Sequence, residues 1–242
     1  MLIGFIGFGR VSYRLNEIFT QNNFKTVTSI ENRSTETIER IRNSNIGVLN
    51  SNKELFEKSD ILISANSPSQ AVKVVKNHGK YCKGTYIDLN NISRKTTLEI
   101  AEYIPNFIDG AVIGKIERDR PILYLAGNNL ERLSFLNDLN IDVHLISDNI
   151  GDASNLKLLR STYTKSLAGV LIESLNLARS LNLENEFLKT LELTEGEINL
   201  SRVENTLKNR DRKVEELEEI LSSFNSENLI ILKAVLESFK KL

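Results

Sequence analysis

Over the first 146 residues, short apolar blocks alternate with stretches of helical spacing; beyond Gly151 only helical spacing remains. The short blocks predict strands at Leu2–Ile6, Lys25–Ile30, Ile61–Ser64, Thr85–Asp88, Asn106–Val112, Ile122–Ala126 and Asp142–Leu145. Helical patterns lie between them at Arg10–Thr20, Ser34–Arg42, Ser69–His78, Ser93–Glu102 and Asn128–Leu139. Such alternation predicts an α/β domain, a doubly wound, mostly parallel sheet of Rossmann type with helices on both faces. The turn-rich Ser147-Asp148-Asn149-Ile150-Gly151 marks a hinge, giving a Rossmann-type α/β domain over 1–147 and an all-α domain over 148–242. The helix expected from Asp152 to about Ser180 carries Leu156, Leu159, Tyr163, Leu167, Val170, Leu171, Leu175 and Leu177 on more than one stripe. A helix apolar on several sides is buried, and the residues that follow are too few to cover it, so a homodimer through the C-terminal helices is expected.

Composition narrows the partners. The net charge of −1 and the 26% of charged residues give no bulk attraction to nucleic acid or to a membrane surface. No apolar run reaches the length of a membrane span, and Met1 leads directly into a strand with no basic leader, so a cytoplasmic protein is expected. The lone Cys82 excludes an internal disulfide, and no Cys/His spacing suggests a metal site. His78 and His144 have no carboxylate or cysteine pattern around them, and Cys82 has no basic neighbour apart from Lys80 and Lys83, so all three read as packing or surface groups.

Candidate chemistry begins at Gly7-Phe8-Gly9-Arg10-Val11-Ser12, which joins the first strand to the first helix. In a dinucleotide-binding turn the first glycine permits the bend and the second admits the pyrophosphate, which rests on the helix N-terminus. The third position is Ser12 rather than glycine or alanine. The second strand ends in Glu31-Asn32-Arg33-Ser34. Asn32, Arg33 and Ser34 offer a guanidinium and hydroxyl suited to a 2′-phosphate, which favours NADP(H) over NAD(H). Glu31 is the competing group: a carboxylate on the ribose would favour NAD. After the third predicted strand, Asn66 and Ser67 are candidate cofactor contacts, with Ser67-Pro68 reading equally well as a helix cap.

These segments, with Tyr86-Ile87-Asp88-Leu89-Asn90-Asn91-Ile92-Ser93 and the Gly151…Lys157 pair, resemble the β-hydroxyacid dehydrogenase superfamily over about residues 2–182. That superfamily includes 3-hydroxyisobutyrate dehydrogenase, 6-phosphogluconate dehydrogenase and the imine reductases. The sequence looks closest to a branch with Asp-Leu-Asn in the third motif and a phosphogluconate-dehydrogenase-like C-terminal domain. The resemblance implies hydride transfer between nicotinamide and substrate, with Lys157 as the proton-transfer residue. Asn90, Ser161, Thr164 and Lys165 are then substrate-binding candidates, and either burial or a neighbouring cation such as Lys165 would lower the Lys157 pKa. Two substrate-contact slots differ from the family pattern: Ser161 stands where asparagine is usual, and Ile113 where serine is.

The leading expectation is an NADP-dependent oxidoreductase acting on a small hydroxy acid, aldehyde or related carbonyl. An imine-reductase-like enzyme and a non-catalytic NADP(H)-binding sensor or interaction protein are the alternatives.

Overall fold

The computed structural model describes residues 1–224 and 226–242. It divides into two compact units, Met1–Lys157 and Leu158–Leu242. The division falls inside a helix rather than at the change of sequence character near 147/148. The physical reason is that the first turns of that helix are bonded to the sheet, as Ser154 is to Asp109.

In the first unit the chain runs through β1 (Leu2–Ile6), α1 (Arg10–Gln21), β2 (Lys25–Ser29), α2 (Thr35–Arg42), β3 (Gly47–Leu49), α3 (Asn52–Lys58), β4 (Ile61–Ser64), α4 (Pro68–His78), β5 (Thr85–Asp88), α5 (Arg94–Ala101), β6 (Phe107–Ile113), β7 (Ile122–Ala126) and β8 (Asp142–Ser147). Among the described residues these form one sheet in the order β3-β2-β1-β4-β5-β6-β7-β8. The pairing is parallel except between β6 and β7. Central strands buried on both faces read as unbroken apolar runs, yet side chains still alternate. Ile3, Phe5, Ile61, Ile63 and Ile87 join Leu15, Ile18 and Phe19 of α1 on one side. Ile6, Leu62 and Tyr86 join Phe56, Val75 and Ile100 of α3, α4 and α5 in a second cluster. Double winding follows from that alternation.

Two elements were absent from the sequence expectation. β3 is a three-residue edge strand and α3 a seven-residue helix, capped where Ser51 Oγ accepts from the Glu54 amide at 3.1 Å. The stretch expected as a helix over Asn128–Leu139 is a 3₁₀ helix at Leu130–Leu139, between Asn129 and Asn140 in the left-handed region. Its buried residues are Leu130, Leu133, Leu136 and Leu139. A three-residue apolar spacing matches three residues per turn, so only the tighter helix keeps all four leucines on one face.

Helix α6 (Asp152–Ser180) is followed by α7 (Glu184–Glu195), α8 (Ser201–Lys208), α9 (Arg210–Ser223) and α10 (Ile230–Lys240). The core of the second unit unites Ala168, Ile172 and Leu175 of α6 with Val203, Leu217, Ile220, Leu232, Val235 and Phe239. Among the described residues no helix is long and apolar enough to cross a membrane.

Candidate functional site

The switch point of the sheet lies between β1 and β4, where strand order reverses and open α/β sheets bind ligands at the strands' C-terminal ends. The Gly7–Gly9 turn stands there. Gly7 has φ +87°, and a Cβ on it would lie 2.6 Å from the Ala65 carbonyl oxygen and 2.7 Å from Asn66 Oδ1. Gly9 differs: its φ of −84° is open to any residue, and a Cβ there would meet nothing within 4 Å. Neither backbone nor packing within the protein therefore requires glycine at position 9. The open space over Gly9 would admit the close approach of a pyrophosphate.

Gly9 precedes α1, whose first turn has no acidic residue and no side-chain cap. Helix geometry leaves the N–H groups of Arg10, Val11 and Ser12 without intrahelical partners, and the helix dipole favours an anion there. Ser12, the irregular third position, is buried, and its hydroxyl donates to the Gly7 carbonyl at 2.6 Å. It fastens the turn to the helix. The Phe8 side chain is buried and packs edge-on against Phe5 and Tyr13. Only its backbone is available to a cofactor.

The residues expected to meet the adenosine ribose follow β2. Asn32 adopts φ +57°, and Ser34 caps α2 by accepting from the Thr37 amide at 3.3 Å. Glu31 accepts from the Asn52 amide at 2.7 Å, at the N-terminus of α3. The carboxylate that competed for the ribose is thus engaged elsewhere, and the reason is α3 itself. Arg33 donates from Nη1 to Asn66 Oδ1 at 3.3 Å, and its buried Nε has no hydrogen-bond partner. Burial lowers the Arg33 pKa, and the Glu31 charge opposes that shift. A half-buried cation with an orphaned N–H is a site that a phosphate oxygen would complete. Sequence reasoning missed Arg40, which donates to the Phe8 carbonyl at 3.1 Å while paired with Glu36 at 2.7 Å. It ties α2 to the glycine turn.

Asn66 links this cluster to β5. Its amide N–H donates to Asn90 Oδ1, and both asparagine side chains donate to Ser64 Oγ, at 3.2 and 2.9 Å. Asn90, expected as a substrate anchor, is instead 4% exposed, with its side chain committed to the end of β4. Ser67 takes the N-cap position of α4, but its hydroxyl lies against Ser69 Oγ and makes no cap bond.

At the same end of the sheet, Asp88 and Asp109 face each other in the β5–β6 register, both buried. Asp109 accepts from the Ser154 amide at 3.0 Å and the Ser154 hydroxyl at 2.7 Å, fixing the start of α6. Lys157 follows one turn later and is half-buried. In the second unit, the Ser161 hydroxyl accepts from Lys165, whose ammonium also pairs with Glu216 Oε2 at 3.0 Å. Thr164 donates to the Ser161 carbonyl at 3.2 Å. Burial lowers the Lys165 pKa and Glu216 opposes the shift. Lys165, expected to bind substrate and tune Lys157, is a buried ion-pair residue of its own helical unit.

Comparison with known proteins places the fold among relatives. Residues 2–91 match the family described as NADP oxidoreductase, coenzyme F420-dependent. An uncharacterized 28.5 kDa protein in a 7S RNA 5′ region of Methanothermus fervidus is 38% identical, over 100% of this chain and 99% of its own. A conserved protein of unknown function, reported as structurally similar to 3-hydroxyacid dehydrogenases, is 30% identical with a TM-score of 0.87, covering 100% of this chain and 96% of its own. The 3-hydroxyisobutyrate dehydrogenase of Mycobacterium tuberculosis has the same fold, with a TM-score of 0.84 at 12% identity over 99% of this chain and 92% of its own. The chain belongs to the family of the first two proteins and shares the fold of the 3-hydroxyisobutyrate dehydrogenases.

Proposed function

We propose that the protein is an NADP(H)-dependent oxidoreductase acting on a small hydroxy acid, aldehyde or related carbonyl compound. One observation carries the choice of cofactor: Glu31 is held at α3 while the Arg33 guanidinium, with its orphaned Nε, stands beside the glycine turn. Gly7, Gly9 and the N-terminus of α1 would hold the pyrophosphate, and Arg33, with Asn32 and Ser34, the 2′-phosphate. When bound, the nicotinamide supplies or accepts a hydride. Lys157 holds the proton that goes to the carbonyl oxygen in reduction, and takes it from the hydroxyl in oxidation. Ser161 and Thr164 are the proposed hydrogen-bonding groups for substrate oxygens.

Fluorescence titration with NADPH and NADH tests the cofactor. Arg33→Ala is expected to weaken NADPH about 10- to 100-fold, the loss of one charge-assisted phosphate contact, and to leave NADH within about twofold. Equal affinities for the two cofactors, untouched by the substitution, would sink the 2′-phosphate reading. In the same protein, Lys157→Ala should lower turnover on hydroxy-acid and aldehyde panels by about 10²- to 10⁴-fold at unchanged cofactor affinity. Firm NADPH binding with no turnover in the unmodified protein would instead identify a sensor.

We further propose a homodimer. Leu159, Tyr163, Val170 and Leu177 of α6 are 55%, 63%, 57% and 63% exposed. Spacings of four, seven and seven residues put them on one face, over about 27 Å of helix. A second copy related by a two-fold axis presents a stripe of equal length and chemistry. Light scattering should give twice the chain mass, and Val170→Glu should give the monomer. A monomeric parent protein overturns the proposal.

A further inference from the structure

Three elements at once place the carboxyl groups at the start of α6. Ser154 of α6 is held by Asp109 of β6, and Asp109 lies opposite Asp88 of β5. Lys157 is one helical turn beyond Ser154 and so shares its face. The two carboxyl groups differ in what satisfies them. Both oxygens of Asp109 accept hydrogen bonds from Ser154, whose hydroxyl also lies 3.1 Å from Thr97 Oγ1. Asp88 accepts through Oδ1 from the Asn90 amide at 2.8 Å, while its buried Oδ2 has no hydrogen-bond partner. Asp88 is therefore fixed in place, since Asn90 is itself tied to Ser64 and Asn66, yet it has one unsatisfied oxygen. The charged groups acting on it are Asp109 from β6 and Lys157 from α6. Beside it on its own strand is the buried Tyr86 phenol, and β4 contributes only the neutral Ser64.

We infer that Asp88 is a positioning residue whose charge sets the protonation state of Lys157, so that the two groups titrate as a coupled pair. The inference rests on Lys157 being the proton-transfer residue. An ionised Asp88 raises the proton affinity of the ammonium, and a neutral Asp88 lowers it. Burial, reinforced by Asp109 and opposed by the Asn90 bonds and Lys157, pushes Asp88 up to about 7. Its charge thus changes within the working range of pH. In reduction, Lys157 loses a proton from Nζ to the new hydroxyl. Ionised Asp88 then favours reprotonation of Lys157 from water, which restores the donor.

The test reads Lys157 directly and needs no substrate. In the full chain, lysines are reductively methylated with ¹³C-formaldehyde and their NMR shifts followed against pH. The Lys157 signal is identified by its absence in Lys157→Arg. Asp88→Asn should move the Lys157 midpoint down by about one pH unit, a tenfold loss of proton affinity, and abolish any inflection near neutrality. Asp88→Glu should restore both. A Lys157 curve in folded Asp88→Asn that superimposes on the parent overturns the proposal. Should Asp88→Asn fail to fold, the parent curve decides: two steps support the pairing, and a single step overturns it. Loss of turnover in Lys157→Ala without this shift removes the pairing alone. A shift in a protein without turnover leaves the pairing and removes the enzymatic reading.

Discussion

Gly7→Ala is expected to cost the first unit about 3 kcal/mol of stability, whereas Gly9→Ala should leave stability nearly unchanged and abolish tight NADPH binding. The two glycines stand two residues apart in one turn and answer to different forces. At Gly7 the backbone sits at φ +87°, which costs a residue with a Cβ about 1 kcal/mol or more. The added carbon would also press within 2.6 Å of the Ala65 carbonyl oxygen, a backbone atom that retreats only if the end of β4 moves. That movement would disturb Asn66, and with it the bonds to Arg33 and Asn90. At Gly9 the backbone is ordinary and the space is open. Exchanging glycine for alanine at an N-cap costs under about 1 kcal/mol. A methyl group there would, however, stand where a pyrophosphate must approach the α1 N–H groups, and a loss of about 100-fold or more in affinity is expected. Thermal unfolding and NADPH titration of both variants check the pair. Normal NADPH binding by Gly9→Ala would end the reading of this turn as the cofactor site.

The strands and the glycine turn were legible because their signals are local. A buried parallel strand is an apolar run, and the tight turn needs glycine wherever it occurs. β3 and α3 were not read, because a three-residue edge strand carries almost no pattern and a seven-residue helix falls below the usual length of a periodic signal. The capping sequence Ser51-Asn52-Lys53-Glu54 was the one local sign of α3. Missing α3 had a chemical consequence, since α3 is what engages Glu31. Sequence alone left Glu31 and Arg33 as rivals for the ribose. The 3₁₀ helix shows the reverse case: leucines at every third position carried the answer, although the segment was read at ordinary helical spacing. The roles of Ser12, Asn90 and Lys165 depend on partners 5, 24 and 51 residues away, Gly7, Asn66 and Glu216. A family motif marks such positions without saying whether they face a ligand or another strand.

Glu216→Gln is expected to destabilise the helical unit by about 3 kcal/mol, and Lys165→Met by less than about 1 kcal/mol. The asymmetry comes from who is left behind. Lys165 is 6% exposed and its charge is met by Glu216 at 3.0 Å. Replacing that carboxylate by an amide leaves a buried ammonium hydrogen-bonded to neutral groups, with the weaker Glu219 charge to offset it, beside the charges of Lys213 and Arg212 that also lean on Glu216. Removing Lys165 instead leaves Glu216 paired with Arg212 at 3.0 Å and Lys213 at 3.2 Å, while methionine keeps the packed volume. Burial alone would raise the Glu216 pKa, but Lys165 and Lys213 outweigh it and hold the group below its ordinary value. A carboxyl depressed in the folded state contributes stability above its unfolded pKa and loses it as pH falls through the folded value. The parent protein should therefore lose this contribution below the usual carboxylate range, and Glu216→Gln should show no such loss. Urea unfolding of the full chain at pH 7 and pH 3 measures both effects. Equal destabilisation by the two variants would mean that the pair holds no buried charge. A Lys165→Met protein that is stable and binds NADPH but has lost turnover would return Lys165 to the substrate site.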